Sequence, residues 1–313
     1  MYRNILVPLD GSPKAEHALP LAARIARDAG ATLTLLRVPN TSPGIGRFEP
    51  PAVVMEFYNR QHERAASYLT AVAGRPAFEG LTVNVVAEEG SPAFTILDAA
   101  YTYDVDLIVM ASHRRSGTSH LLFGSVAEQV IRRSVIPVIV LRDDDQPSYI
   151  EGQPLAILVG LDGSVLSETA LDPAWALASA WQSHGPASLK LVRVIPAEPV
   201  PPTAVESYLA IMAERLSASH PQANVPISYA VIPGDTVAEP LRDAVIANPV
   251  LTSDTPLSMI AIATHGRHGA DRLLLGSVAE TLIRDSKVPL LLIHHSTSAH
   301  LITPSDHITS AHT

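Results

Sequence analysis

One segment of this chain occurs twice. Ile5-Leu-Val-Pro-Leu-Asp-Gly-Ser12 returns as Ile157-Leu-Val-Gly-Leu-Asp-Gly-Ser164, so that Asp10 and Asp162 stand 152 positions apart. Far downstream, Leu121-Leu-Phe-Gly-Ser-Val-Ala-Glu128 returns as Leu273-Leu-Leu-Gly-Ser-Val-Ala-Glu280, and Gly124 and Gly276 are again 152 apart. Two motifs from opposite ends of each half therefore share one register. Between them the register drifts and recovers: Leu36-Arg-Val38 matches Val192-Arg-Val194, Gly90 matches Gly234, and His113 matches His265. Surface-loop insertions produce such drift while the elements they join stay in place. With 313 residues, about two ordinary domain lengths, the chain reads as a duplicated unit, with domains over 1–146 and 152–295 and a flexible tail over 296–313. The join falls near Asp143-Asp-Asp-Gln-Pro147.

Each half alternates two patterns. Short apolar runs such as Thr32 to Val38, Leu107 to Ala111 and Pro137 to Leu141 show no polar alternation, as expected of parallel strands covered on both faces. Between them lie helical spacings. After Ser12, Ala15, Ala18, Leu19, Ala22, Ile25, Ala26 and Ala29 fall on one helix face, and Gly30 is a stop. Ala170, Leu171, Ala174, Leu177 and Ala178 repeat this in the second half. Further helices are predicted over 54–73, 93–102, 126–133, 204–218, 237–247 and 278–285. Strand alternating with helix specifies an α/β fold: two tandem doubly wound domains, each with a five-stranded parallel sheet flanked by helices. The Pro-rich stretches 39–51 and 196–202 read as mobile loops over the carboxyl edge.

Composition removes several classes of function. The chain has no cysteine, which excludes disulfides, thiolate nucleophiles and cysteine zinc sites, and its formal charge of -9 argues against a nucleic-acid partner. No apolar run is long enough for a membrane span or shaped as a signal peptide, so a cytoplasmic location is expected. Five histidines near the C-terminus (His294, His295, His300, His307 and His312) follow no single helical face, and no metal site is assigned to them.

In open parallel sheets ligands bind beyond the carboxyl ends of the strands, where the strand order reverses. Asp10 and Asp162 stand just after the first strand of each half. Gly124-Ser125 and Gly276-Ser277 stand just before the last helix, where free amides and the helix dipole favour an anion. Each feature alone has a plainer reading, a helix cap for the aspartates and a turn for Gly-Ser. Both features in both halves, on one edge, point to a nucleotide site. No Walker-type loop occurs, and no Gly-x-Gly-x-x-Gly follows the first strand; Gly44-Ile-Gly46 lies within a Pro-rich loop.

With these motifs the sequence resembles the universal stress proteins in their tandem two-domain form, an adenine nucleotide alpha hydrolase-like fold. Nucleotide-binding members carry Gly-x-x-Gly, nine residues, then Gly-Ser or Gly-Thr. The second half reads Ala263-Thr-His-Gly266, nine residues, then Gly276-Ser277; the first reads Ala111-Ser-His-Arg114, nine residues, then Gly124-Ser125. The resemblance implies a nucleotide-dependent stress-response regulator that binds ATP, with Mg²⁺ as an optional companion. The implied binding residues are Pro8, Asp10, Val38, Met110, Ala111, His113, Arg114, Gly124, Ser125 and Val126 in the first half. In the second they are Gly160, Asp162, Val194, Ile262, Ala263, His265, Gly266, Gly276, Ser277 and Val278.

The departures from the pattern have physical content. Glycine lets backbone approach a ribose or phosphate with no Cβ in the way. Ala111 and Ala263 add only a methyl, whereas Arg114 places a long cation that either plugs the first crevice or grips phosphate. The second half is therefore expected to be the better ATP site. Phosphoryl-transfer chemistry is represented by fragments only: Asp10 or Asp162 for Mg²⁺, Ser125 or Ser277 as acceptor, and Arg115, Arg267 or His268 for charge. No catalytic residue is assigned; slow ATP hydrolysis or autophosphorylation stays open.

The final strands, Val135 to Leu141 and Val288 to Ile293, are too apolar for a solvated sheet edge. In the family such strands pair between domains. The expectation is an intramolecular pseudo-dimer of the two halves through these strands, with two chains assembling as a homodimer. The competing expectation is a non-catalytic stress scaffold of the same fold, with one or both nucleotide crevices empty, that acts through protein contacts.

Overall fold

The computed structural model describes residues 2–39, 51–112, 124–142, 154–196, 202–246, 257–265, 277–286 and 288–295. The first half contains β1 (Asn4–Pro8), α1 (Leu19–Ala29), β2 (Thr32–Arg37), α2 (Pro51–Ala73), β3 (Val83–Ala87), α3 (Pro92–Thr102), β4 (Leu107–Ser112), α4 (Ser125–Arg133) and β5 (Val138–Arg142). The second contains β6 (Leu155–Gly160), the single turn α5 (Val165–Glu168), α6 (Leu171–Trp181), β7 (Ala187–Ile195), α7 (Pro202–Ser219) and β8 (Ile227–Pro233), followed by α8 (Ala238–Ile246), β9 (Leu257–His265), α9 (Ser277–Asp285) and β10 (Leu290–His295). The expected alternation is present, with five strands in each half.

All ten strands join one sheet, in the order β3-β2-β1-β4-β5-β10-β9-β6-β7-β8. Every neighbouring pair is parallel except β5 and β10. Those two run antiparallel, with Val138 opposite Leu292, Ile139 opposite Leu291 and Val140 opposite Leu290. All six residues are buried, so the apolar edges noted in the sequence lie inside the sheet. Because successive strand residues face opposite ways, the core forms two layers, one on each face. Ile5, Leu33, Ile139, Ile157 and Leu291 belong to one layer, and Leu6, Ile108, Val138, Leu158 and Leu292 to the other. Each layer draws on both halves.

A second joint connects α1 to α6 and the turn after it. Arg24 Nε bonds Asp28 Oδ2 at 2.6 Å and its guanidinium lies 4.5 Å from the Trp181 ring centre. His184 Nδ1 lies 2.8 Å from Asp28 Oδ1, and the Tyr2 hydroxyl donates to the Pro173 carbonyl.

Two local expectations need correction. The helix predicted from Ala15 to Ala29 is divided into a 3-10 turn, Ala15–Ala18, and α1. Pro20 is the cause: its ring displaces the carbonyl four residues back, and it has no N–H to donate. Gly30 does end α1, in the left-handed conformation with φ 64°. Pro51 and Pro202, assigned to loops, are instead the first residues of α2 and α7, where a missing N–H costs nothing. Of the two Pro-rich stretches, residues 40–50 and 197–201 lie outside the described residues.

Leu291 is fully buried opposite Ile139. Truncation to Ala is expected to cost about 3 kcal/mol by chemical denaturation. A loss below about 0.5 kcal/mol, the range of a surface change, would contradict the burial of this pair.

Candidate functional site

In each half the chain reverses direction across the sheet between the first and fourth strands: β1 with β4, and β6 with β9. That is the switch point at which parallel sheets form crevices, and a cleft opens beyond the carboxyl ends there in both halves. The first has a volume of about 640 Å³ and the second about 580 Å³, both within the range of small-molecule sites.

The first cleft gathers most of the positions singled out in the first half. Pro8 and Asp10 come from the end of β1, Val38 from the end of β2, Met110 and Ala111 from β4, and Gly124, Ser125 and Val126 from the start of α4. His113 and Arg114 lie outside the described residues. The second cleft gathers Gly160, Asp162, Val194, Ile262, Ala263, Ser277 and Val278. His265 is the last residue of β9. Gly266 and Gly276 lie outside the described residues.

The aspartates are not helix caps. Asp10 Oδ1 accepts the Ser12 amide at 2.8 Å, and Asp162 Oδ1 accepts the Ser164 amide at 2.8 Å, which closes an Asx turn at each first-strand end. In the second half the capping role belongs to Ser164. Ser164 Oγ accepts the Ser167 amide at 3.1 Å, and Ser12 Oγ accepts the Ala15 amide at 3.2 Å. Both aspartates are exposed at the cleft, held by a turn that presents them there. Gly124 precedes α4 with extended backbone, and among the described residues no side chain caps the first turn of that helix. Its leading amides therefore face the cleft with the positive end of the helix dipole behind them.

The sequence reading missed a support beneath each Asx turn. Gly11 and Gly163 have φ of 86° and 87°, a region that side chains rarely enter. A Cβ on Gly11 would lie 2.7 Å from Arg37 Nη2, and one on Gly163 would lie 2.5 Å from Arg193 Nη1. Each guanidinium is flanked on another side by a tyrosine: Arg37 is 4.7 Å from the Tyr68 ring centre and Arg193 is 5.6 Å from that of Tyr208. The tyrosines are anchored in turn. Tyr68 donates to Glu16 Oε1 at 2.7 Å, and Arg75 grips Glu16 through both terminal nitrogens at 2.8 and 3.1 Å. In the second half Tyr208 donates to Glu168, which also meets Arg215.

Electrostatics fit those roles. The Arg75 hydrogen bonds hold the Glu16 carboxyl below its usual range, against some desolvation. Burial, with the adjacent glutamate, pushes the Tyr68 hydroxyl up, and the same causes push Tyr208 up to about 12. Both tyrosines stay protonated and able to donate. The recurrence of Arg37 at Arg193 was the available signal, but the partners recur at other spacings and meet only in three dimensions.

The universal stress protein family profile matches residues 1–142 and again 155–294. The chain belongs to the universal stress protein family. A universal stress protein of Mycolicibacterium smegmatis is 26% identical over 300 residues, 93% of this chain and 96% of that one. The crystal structure of a universal stress protein from Archaeoglobus fulgidus has the same fold, with a TM-score of 0.68 at 21% identity over 93% of this chain and 98% of that one. Another universal stress protein, solved in complex with cAMP, aligns with 45% of this chain and 97% of its own, at 23% identity and a TM-score of 0.35. The present chain carries both family units in one continuous sheet.

Gly11→Ala and Gly163→Ala are each expected to destabilise this universal stress protein by about 1–2 kcal/mol, from left-handed strain alone. Chemical denaturation reads this directly. A neutral result at both sites would contradict the turn geometry.

Proposed function

We propose that this universal stress protein is a nucleotide-dependent stress-response regulator that binds ATP in its two clefts, with the second half, residues 152–295, the better site. One observation carries the reading: in each half the aspartate turn after the first strand and the Ser-Val start of the last helix face a common cleft. An aspartate suits ribose hydroxyls and uncapped helix amides suit phosphates. Val38 and Val194, at the ends of β2 and β7, would border the base. By the sequence pattern, His113 with Arg114 and His265 with Gly266 would complete the two sites.

The clefts suit an adenine nucleotide in size and in donors. No group of three or more metal-binding side chains occurs among the described residues. Mg²⁺ would arrive with the phosphates and meet Asp10 or Asp162 among the described residues, as is common for this ion. The preference for the second half rests on the sequence, where Gly266 stands in place of Arg114. The same reading places the protein in the cytoplasm, with the two halves as a built-in pair and two chains as a homodimer.

Denaturing the protein as purified and separating the supernatant by chromatography is expected to release adenine nucleotide, and Mg·ATP is expected to raise the melting temperature. Absence of both effects would leave the scaffold reading in front. Gly124 has φ of -61° and ψ of 136°, open to any residue, so Gly124→Glu introduces charge at the helix start without backbone strain. Gly276→Glu is expected to lower overall ATP affinity by about tenfold or more through like-charge repulsion, and Gly124→Glu by less. Equal losses would contradict the asymmetry.

A further inference from the structure

The second cleft borders a charge cluster to which the first half contributes. Glu280, in the first turn of α9, lines that cleft. Arg132, in the last turn of α4, reaches it from the other half: Nη2 lies 2.6 Å from Glu128 Oε1 on its own helix and 4.0 Å from Glu280 Oε1 across the joint. The Arg132 side chain is 17% exposed. Its Nε and Nη1 atoms are buried with no hydrogen-bond partner among the described residues.

The repeat would allow a mirror pair, with Arg284 reaching Glu128. Instead Arg284 bonds Asp285 through Nε and Nη2 at 3.0 and 3.1 Å, and Asp285 stands where the first half has Arg133. One guanidinium therefore serves two carboxylates, one from each half. Of these carboxylates, Glu280 borders a cleft, whereas Glu128 does not line the first one.

An anionic ligand at the start of α9 would share that helix end with the Glu280 carboxylate. Two negative charges at a partly buried site repel more strongly than in water. We infer that Arg132 is a positioning residue for the second cleft: supplied by the first half, it holds and neutralises Glu280 so that the cleft admits an anionic ligand. The inference rests on the reading of that cleft as a nucleotide phosphate site. On this account anion binding in the second half depends on its docking to the first, which gives the fusion of the two units a chemical consequence.

The test uses the full chain carrying Gly124→Glu, so that the second cleft is read, with ATP and adenosine titrated separately by calorimetry. Arg132→Met keeps the apolar stem and removes the charge. It is expected to weaken ATP about tenfold while adenosine changes by less than about twofold, a coupling of ordinary size. Arg132→Lys recovers part of the loss, and Glu280→Gln added to Arg132→Met restores ATP affinity close to the parent value. A merely structural Arg132 would weaken both ligands alike or neither, and either result overturns the inference. Should Arg132→Met not fold, Glu280→Gln alone reads the same charge: ATP should tighten about threefold with adenosine unchanged, and a weaker ATP would overturn the inference. A parent that binds neither ligand removes the nucleotide reading and this inference together. A parent that binds ATP, with Arg132→Met indistinguishable from it, removes the inference alone.

Discussion

The antiparallel pairing of β5 with β10 is the constraint on which the rest of the structure depends. Each strand would otherwise leave an apolar, unpaired edge in water, the condition that promotes uncontrolled sheet extension. Paired, Ile139 and Leu291 disappear into one core layer, and Val138, Val140, Leu290 and Leu292 into the other. The same pairing reverses strand direction at the centre of the sheet. The carboxyl ends of β1 to β5 therefore face one edge and those of β6 to β10 the opposite edge, so the two clefts open away from each other. Antiparallel strands also bring the end of α4 to the edge where α9 begins, which sets Arg132 beside Glu280. Arg142, at the end of β5, reaches the Arg284 and Ser286 carbonyls for the same reason.

Within each half the cleft is a product of strand ends and two turns. Parallel strands stop together, and the Asx turn after the first strand lifts an aspartate above that edge. Its glycine is favoured by a positive φ, and an arginine guanidinium occupies the space that a side chain would enter. From that guanidinium a line of contacts runs through a tyrosine on the long helix α2 or α7 and a glutamate to a second arginine, Arg75 just after α2 or Arg215 within α7. The helix thus braces the turn. Both halves keep this arrangement although their loops differ in length, because its central pair joins regular elements: an arginine on β2 or β7 and a tyrosine on α2 or α7.

Much of the fold was legible because duplication doubles every signal. Asp10 alone is ambiguous between a cap and a ligand; Asp10 and Asp162 in register, each followed by a distant Gly-Ser, indicate a shared edge before any coordinates are known. The apolar final strands signalled that something must cover them. Less was legible where two non-adjacent residues decide the outcome. Pro20 interrupts an otherwise regular helical spacing, and Pro51 begins a helix instead of belonging to a loop, because position within the first turn decides what proline does. The Arg37, Tyr68 and Glu16 contact joins residues whose counterparts recur at different offsets, so no single register shows it. Arg132 and Glu280 belong to different halves, and only strand direction at the joint brings them together.

A crystal structure of the full chain grown with a non-hydrolysable ATP analogue decides whether the second cleft is the nucleotide site. Analogue density is expected in that cleft, with the ribose at Asp162, the phosphates at the start of α9 beside Ser277 and Val278, and the Arg132 guanidinium still against Glu280. Analogue bound elsewhere, or both clefts without density at saturating analogue, would contradict that assignment.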